Sequence, residues 1–217
     1  MKIGILGGTF NPIHLAHLRI AEEVREACAL ERILFIPAAT PPHKGVADAI
    51  PFEQRLGMVK AAIADNPNFA VSDLEQHRQG PSYSVDTLTI LREKNPGDEF
   101  FFIIGMDSFR DIQLWMDYRR LFQLTHIVVV SRPGIACPDP REFLPVALRN
   151  EFCYNSASKK LCHSSGNEVI LLEETWLDIS STQIRELVAA GRSIRYLVPA
   201  AVVGYIQQHG LYQRHKR

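Results

Sequence analysis

The sequence predicts an α/β fold on a mainly parallel sheet with helices on both faces. Two observations carry this expectation. Short β-rich apolar runs alternate with helical patterns along the chain. The first of those runs ends in Gly7-Gly8, and after Asn11-Pro12 a helix opens carrying His14 and His17. Strand, glycine turn and helix N-terminus in that order make an anion site from backbone N–H groups and the helix dipole. Right-handed crossovers put such a site at the carboxyl ends of the strands, where the strand order reverses.

The strand candidates are residues 2–6, 32–37, 69–72, 99–105, 126–131 and 168–172. The first helix is expected over 15–30, where Leu18, Ala21, Val24 and Cys28 recur at helical spacing. Residues 52–64 and 84–93 read as the next helices, and 181–190 and 199–209 as the last two. Pro199 suits a first helical turn and Gly210 a C-terminal cap. Residues 132–166 mix Pro, Ser, Asn and Cys, with one helical stretch over 140–150. They read as an irregular elaboration of a single domain spanning 1–217.

Composition narrows the class. A chain of 217 residues, 46% hydrophobic and 22% charged, has enough apolar material for a sizeable core. Lys+Arg and Asp+Glu are equal at 24 each, so no net field points to nucleic acid or an anionic membrane. The apolar run before Gly7 is too short for a secretory signal, and no later run reaches membrane-spanning length. Cys28, Cys137, Cys153 and Cys162 form no Cys-x-x-Cys pair, and Cys153, Cys162 and His163 match no common zinc spacing. The expectation is a reduced, cytoplasmic protein with no metal ligands of its own and no membrane or nucleic-acid partner.

Chemistry concentrates at two places. In Gly7-Gly8-Thr9-Phe10-Asn11-Pro12-Ile13-His14-Leu15-Ala16-His17 the glycines clear side chains where backbone approaches a phosphate, and the two histidines share one helical face. They would stabilise charge that develops during phosphoryl attack. In Ile179-Ser180-Ser181-Thr182-Gln183-Ile184-Arg185 small hydroxyl residues cap a second helix, with an arginine one turn further in. Read alone, each is a capped helix start with surface polar groups.

Together, at opposite ends of an α/β chain, the two motifs resemble the nucleotidyltransferase superfamily with the HxGH signature. The segments between them resemble the bacterial nicotinate-nucleotide adenylyltransferases: Pro41-Pro42-His43-Lys44, Gly80-Pro81-Ser82-Tyr83-Ser84-Val85-Asp86-Thr87, Ile104-Gly105-Met106-Asp107-Ser108 with Trp115, Arg132-Pro133-Gly134, and the closing Leu197-Val198-Pro199 and Gly210-Leu211-Tyr212. The likeness runs nearly end to end and is weakest over 135–167. It implies a Rossmann-like nucleotidyltransferase fold and adenylyl transfer from ATP to nicotinate mononucleotide, with Mg²⁺ carried mainly by the ATP. Self-association is left open.

The resemblance also assigns residues. His14, His17 and Arg185 would be catalytic. Gly8, Thr9, Phe10, His14, His17, Gly105, Asp107, Arg132, Ser181, Thr182 and Arg185 would bind ATP. His43, Lys44, Tyr83, Ser84, Thr87 and Trp115 would receive the pyridine nucleotide, His43 and Lys44 near the phosphates and Trp115 as a stacking face for the ring. Three positions depart from the family pattern: Asn11 replaces the usual Asp, Ala16 the Gly between the histidines, and Ala38 a frequent Asn. None is a phosphate-handling residue.

Other readings stay open at this stage. Nicotinamide mononucleotide or phosphopantetheine could be the acceptor, and a non-catalytic nucleotide-binding module would keep the same fold. A dinucleotide-binding dehydrogenase lacks support, since Gly4-x-x-Gly7-Gly8 misses the Gly-x-Gly-x-x-Gly spacing and Pro37-Ala38 stand where an acidic residue is needed. A P-loop enzyme is excluded by the lack of Gly-Lys-Ser/Thr.

Overall fold

The computed structural model describes residues 1–41, 50–131, 140–155, 160–173, 175 and 177–213. Its frame is one sheet of eight strands: β1 (Lys2–Gly8), β2 (Arg32–Pro37), β3 (Phe69–Val71), β4 (Glu99–Gly105), β5 (His126–Ser131), β6 (Phe152–Asn155), β7 (Lys160–His163) and β8 (Glu168–Glu173). The order is β3-β2-β1-β4-β5-β8-β7-β6. The first six in that order pair in parallel, whereas β7 and β6 add antiparallel to β8.

Strand alternation splits the core between the two faces. On β4, Phe101 and Ile103 join Ile33, Phe35, Met58 and Val59 on one side. Phe100, Phe102 and Ile104 join Val85, Leu88, Phe109 and Phe122 on the other. The first face is covered by α1 (Leu15–Ala27), α2 (Phe52–Ile63), α6 (Ser181–Ala189) and α7 (Ala200–Gln208). The second carries α3 (Ser84–Lys94), α4 (Met106–Arg110) and α5 (Tyr118–Leu124). Close approach of α7 to α2 depends on Gly57, where an added Cβ would lie 2.2 Å from the Tyr205 hydroxyl. The mainly parallel sheet with helices on both faces is therefore present as expected.

Several boundaries move. The first helix ends at Ala27, not residue 30, because Ala29 takes a left-handed φ of 50° that breaks the helical ladder. The stretch 140–150 is not a continuous helix but two 3₁₀ segments, Pro140–Phe143 and Val146–Glu151, separated by Pro145. Part of the stretch taken as irregular forms the β6–β7 pair, which extends the sheet. After β4 the helix α4 begins at Met106 with Gly105 at its cap, so Asp107 stands inside the first turn.

Topology places the site. Strand order reverses between β1 and β4, and the crevice beyond their carboxyl ends is where ligands of open α/β sheets bind. Gly8 ends β1 and Gly105 ends β4, so both glycines stand at its mouth.

Candidate active site

Two cavities open at that crevice and meet at Thr9, His17 and Pro41. The first, of about 430 Å³, is mainly apolar. Gly8, Tyr83, Ser84, Phe102, Gly105 and Trp115 are among its walls. The second, of about 700 Å³, is lined by polar groups from Thr9, His14, His17, Ser181, Thr182 and Arg185, with Phe10 on one wall. Hydrophobic walls with a few convergent polar groups suit a flat ring, and a rim of donors suits phosphate.

The β1–α1 turn sets the two histidines. The His17 imidazole accepts at Nδ1 from the His14 backbone N–H at 3.2 Å. With Nδ1 engaged as an acceptor, the neutral ring carries its proton on Nε2, leaving that N–H as its donor. The Phe10 ring meets His17 edge-on at 5.1 Å, and the His14 ring stacks on it at 3.7 Å. Phe10 itself is buried with a φ of 47°, a backbone position that turns the chain sharply at the end of the strand.

His14 is buried, and its Nδ1 has no hydrogen-bond partner among the described residues. Burial pushes its imidazole down to about 4, so it is neutral at pH 7. Because the unfolded chain takes the proton at about 6.5, acid favours unfolding: the stability present above pH 6.5 is lost as pH falls towards 4. The loss is about 3 kcal/mol by linkage. His126, also pushed down by burial, contributes in the same direction. Melting curves should therefore fall more steeply between pH 6.5 and 4 for the native protein than for His14→Gln, which keeps the His126 contribution. Parallel curves would show that His14 carries no such penalty.

Helix α6 is clasped onto this turn. Ser180 caps it, accepting from Gln183 N–H at 3.1 Å. The Ser181 hydroxyl donates to Pro12 O at 2.8 Å, and Arg185 Nη1 donates to Asn11 O at 2.9 Å while Nη2 reaches Thr182 Oγ1 at 3.2 Å. With its hydroxyl proton committed to Pro12, Ser181 has its backbone N–H at the head of the helix to offer an anion. Two helix N-termini thus point at one polar cavity, with the Arg185 fork between them.

Several residues that sequence reasoning did not single out hold this arrangement. Arg55, buried on α2, donates to Thr9 O at 2.8 Å and to Ile50 O at 3.2 Å; burial lowers its pKa. Tyr212 donates its hydroxyl to Asn11 Oδ1 at 2.8 Å, and burial raises its pKa far above the usual phenol value. Glu75 borders the apolar cavity with both oxygens engaged, by Ala39 N–H at 3.4 Å and the Thr87 hydroxyl at 2.8 Å. Thr40 and Ser82 exchange two hydrogen bonds, at 3.0 and 2.8 Å, that tie the loop after β2 to the head of α3. Partners this far apart in sequence leave no periodic signal; Tyr83-Ser84 at the head of α3 was the nearest cue.

Of the residues singled out from sequence, Gly8, Thr9, His17, Tyr83, Ser84, Gly105 and Trp115 border the apolar cavity. Thr9, Phe10, His14, His17, Ser181, Thr182 and Arg185 border the polar one. Thr87 stands behind the wall, linking Glu75 and Arg78, and borders neither cavity. Asp107 borders neither as well. His43, Lys44 and Arg132 lie outside the described residues.

The donor set suits nucleotide oxygens. Among the described residues no group of three His, Cys, Asp or Glu side chains gathers as a metal cage. A Mg²⁺ that arrives with a nucleoside triphosphate fits here through phosphate oxygens and water, its usual mode of binding. Among the described residues, no helix is long and apolar enough to cross a membrane.

Comparison with known proteins gives a family, a set of similar relatives and a shared fold. Residues 5–187 match the cytidylyltransferase-like family model. A Syntrophotalea carbinolica protein named "Probable nicotinate-nucleotide adenylyltransferase" is 64% identical over 217 residues, all of both chains. One of the same name from Geobacter sulfurreducens is 58% identical over 98% of each. Among solved structures, Plasmodium falciparum nicotinic acid mononucleotide adenylyltransferase complexed with NaAD superposes with a TM-score of 0.73. That match covers 97% of each chain at 20% identity, a likeness of fold. The same enzyme complexed with APC gives 0.72, over 97% of this chain and 96% of that one. With its paired cavities, clasped helices and full-length likeness, this chain belongs to the cytidylyltransferase-like family and, within it, to the nicotinate-nucleotide adenylyltransferases.

Proposed function

We propose that this chain transfers the adenylyl group of ATP to nicotinate mononucleotide, forming nicotinate adenine dinucleotide and pyrophosphate. The observation that carries the reading is the junction of the two cavities at Thr9 and His17. A pyridine ring held against Trp115 would direct its phosphate to the point where the polar cavity presents the α-phosphate of ATP.

The nucleophile is an oxygen of the mononucleotide phosphate, already ionised at neutral pH. It attacks the α-phosphorus; the bond from that phosphorus to the bridging oxygen breaks, and pyrophosphate leaves. No protein nucleophile or general base is required, so placement and charge stabilisation set the rate. His17 Nε2–H, the Ser181 and Thr182 backbone N–H groups and the Arg185 guanidinium are the donors at hand. His14 supplies the backbone N–H that fixes the His17 tautomer. Mg²⁺ arriving with the ATP would be held by phosphate oxygens and water and would supply charge neutralisation there. The Trp115 ring, set edge-on against Phe102 at 6.2 Å, offers a flat apolar face to the ring of the acceptor. The roles of His43, Lys44 and Arg132, and a cytoplasmic setting for the reaction, belong to the same proposal.

Pyrophosphate release with nicotinate mononucleotide and with nicotinamide mononucleotide, each with ATP and Mg²⁺, tests the acceptor. The expected result is a kcat/KM at least tenfold higher for the nicotinate form. Equal rates, or a preference for the amide, would overturn that choice of acceptor, and no turnover with either would overturn the reading as a whole.

A further inference from the structure

The antiparallel end of the sheet carries chemistry that the cavities do not use. Cys153 on β6 and Cys162 on β7 stand directly opposite one another in register. The Ser164 N–H donates to Glu151 O at 3.0 Å just beyond the strand ends. That bond sets the phase of the ladder. Hydrogen-bonded and non-hydrogen-bonded pairs alternate, so Cys153 and Cys162 form a hydrogen-bonded pair, with Cα atoms about 5.5 Å apart. Disulfides span Cα separations of about 4.4–6.8 Å. Residues opposite each other in a ladder project from the same face. Cys153 Sγ already leans across to the partner strand, 3.6 Å from Cys162 O. Cys153 is exposed and Cys162 half-buried.

We propose that Cys153 and Cys162 are a redox modification site that closes to a reversible cross-strand disulfide. The oxidant is a low-molecular-weight disulfide, with glutathione disulfide as the probe. The Cys153 thiol loses its proton, and the thiolate attacks one sulfur of the oxidant. The oxidant S–S bond breaks and one glutathione thiolate leaves, taking up a proton. Cys162, once deprotonated, attacks the Cys153 sulfur of the mixed disulfide and expels the second glutathione. Two protein thiols give up two electrons and two protons, and one disulfide becomes two thiols.

The environment assigns the order of attack. Burial pushes the Cys162 thiol up, Cys153 and Glu168 add to this, and the Lys160 ammonium opposes it. Cys162 is therefore the resolving thiol, and the exposed Cys153 meets the oxidant first. Ladder partners sit with Cβ atoms about 4.5–5.5 Å apart, whereas a disulfide needs about 3.5–4.5 Å. Closing the bridge draws the strands together, which makes it easier to reduce than a relaxed structural bridge. Transient, reducible bridges are the kind that persist as switches in reducing compartments.

The full chain, reduced and then exposed to glutathione disulfide, tests this by thiol titration in denaturant, intact mass and peptide mapping. The expected result is a fall from the four thiols of the reduced chain to two, with a Cys153–Cys162 linked peptide. Excess reduced glutathione should restore all four. Cys162→Ser should trap a glutathione adduct on Cys153, Cys153→Ser should form no bridge, and Cys28→Ser should retain it. A stable adduct on native Cys153 with no internal bridge, a bridge to another cysteine, or four unchanged thiols would overturn the proposal.

Discussion

His17→Ala lowers kcat by about 10²–10³-fold, the effect of removing one preorganised donor to a developing oxyanion. The KM for nicotinate mononucleotide should stay within about twofold, because the role proposed for His17 is at the junction of the two cavities, where the phosphates would meet. The size of the effect follows from how tightly the ring is set. Nδ1 is committed to the His14 N–H, the Phe10 ring packs T-shaped against the imidazole and the His14 ring stacks on it. In the proposed mechanism Nε2–H is the donor that meets charge developing on the α-phosphate. The substitution also removes the acceptor of the His14 N–H at the start of α1, so about 1 kcal/mol of stability should go with it. Steady-state kinetics over both substrates, with a melting curve as control, checks the prediction. A matching loss in kcat and in mononucleotide affinity would place His17 in substrate binding instead.

Arg185→Ala is expected to be as damaging, with a different signature. The guanidinium joins α6 to the β1–α1 turn through Asn11 O and Thr182 Oγ1, and it adds positive charge to the polar cavity. Hydrogen bonds to a charged group contribute about 1.5–3 kcal/mol each. Loss of the fork should therefore raise the KM for ATP at least tenfold and lower kcat as well, with the mononucleotide KM little changed. Arg185→Lys restores the charge but cannot span both acceptors, since an ammonium is a point donor where the guanidinium is a planar fork. It should recover ATP binding in part and kcat hardly at all. Full recovery by lysine would mean that charge alone matters and that the clasp is dispensable.

Much of this was legible before any coordinates. Strands β1 to β5 and β8 announced themselves as apolar β-rich runs, and the reversal that makes the crevice followed from crossover rules. The histidine turn and the Ser-Ser-Thr helix were readable because each is local: a cap, a glycine turn, a spacing of three. What stayed hidden was short or long-range. β6 and β7 have four residues each, and their Cys, Tyr, Asn, Lys and His give no clear apolar alternation. The five-residue α4 and seven-residue α5 are too brief to show a helical period. The family resemblance puts Thr87 with Tyr83 and Ser84 at the pyridine nucleotide, yet one helical turn carries it behind the wall to Glu75. Arg55 and Tyr212 bind to the β1–α1 turn across the fold, and no spacing along the chain betrays that.

Asn11 gathers two distant parts of the chain, one on its carbonyl and one on its side chain. Its carbonyl takes Arg185 and its amide oxygen takes Tyr212, which lies 201 residues away. A ribosome therefore makes the histidine turn well before the residues that fasten it. A nascent chain halted before Arg185 would carry both histidines and all eight strands and still lack the guanidinium that closes the clasp. During synthesis, then, the histidine turn emerges 174 residues ahead of the Arg185 that clasps it and 201 ahead of the Tyr212 that pins it.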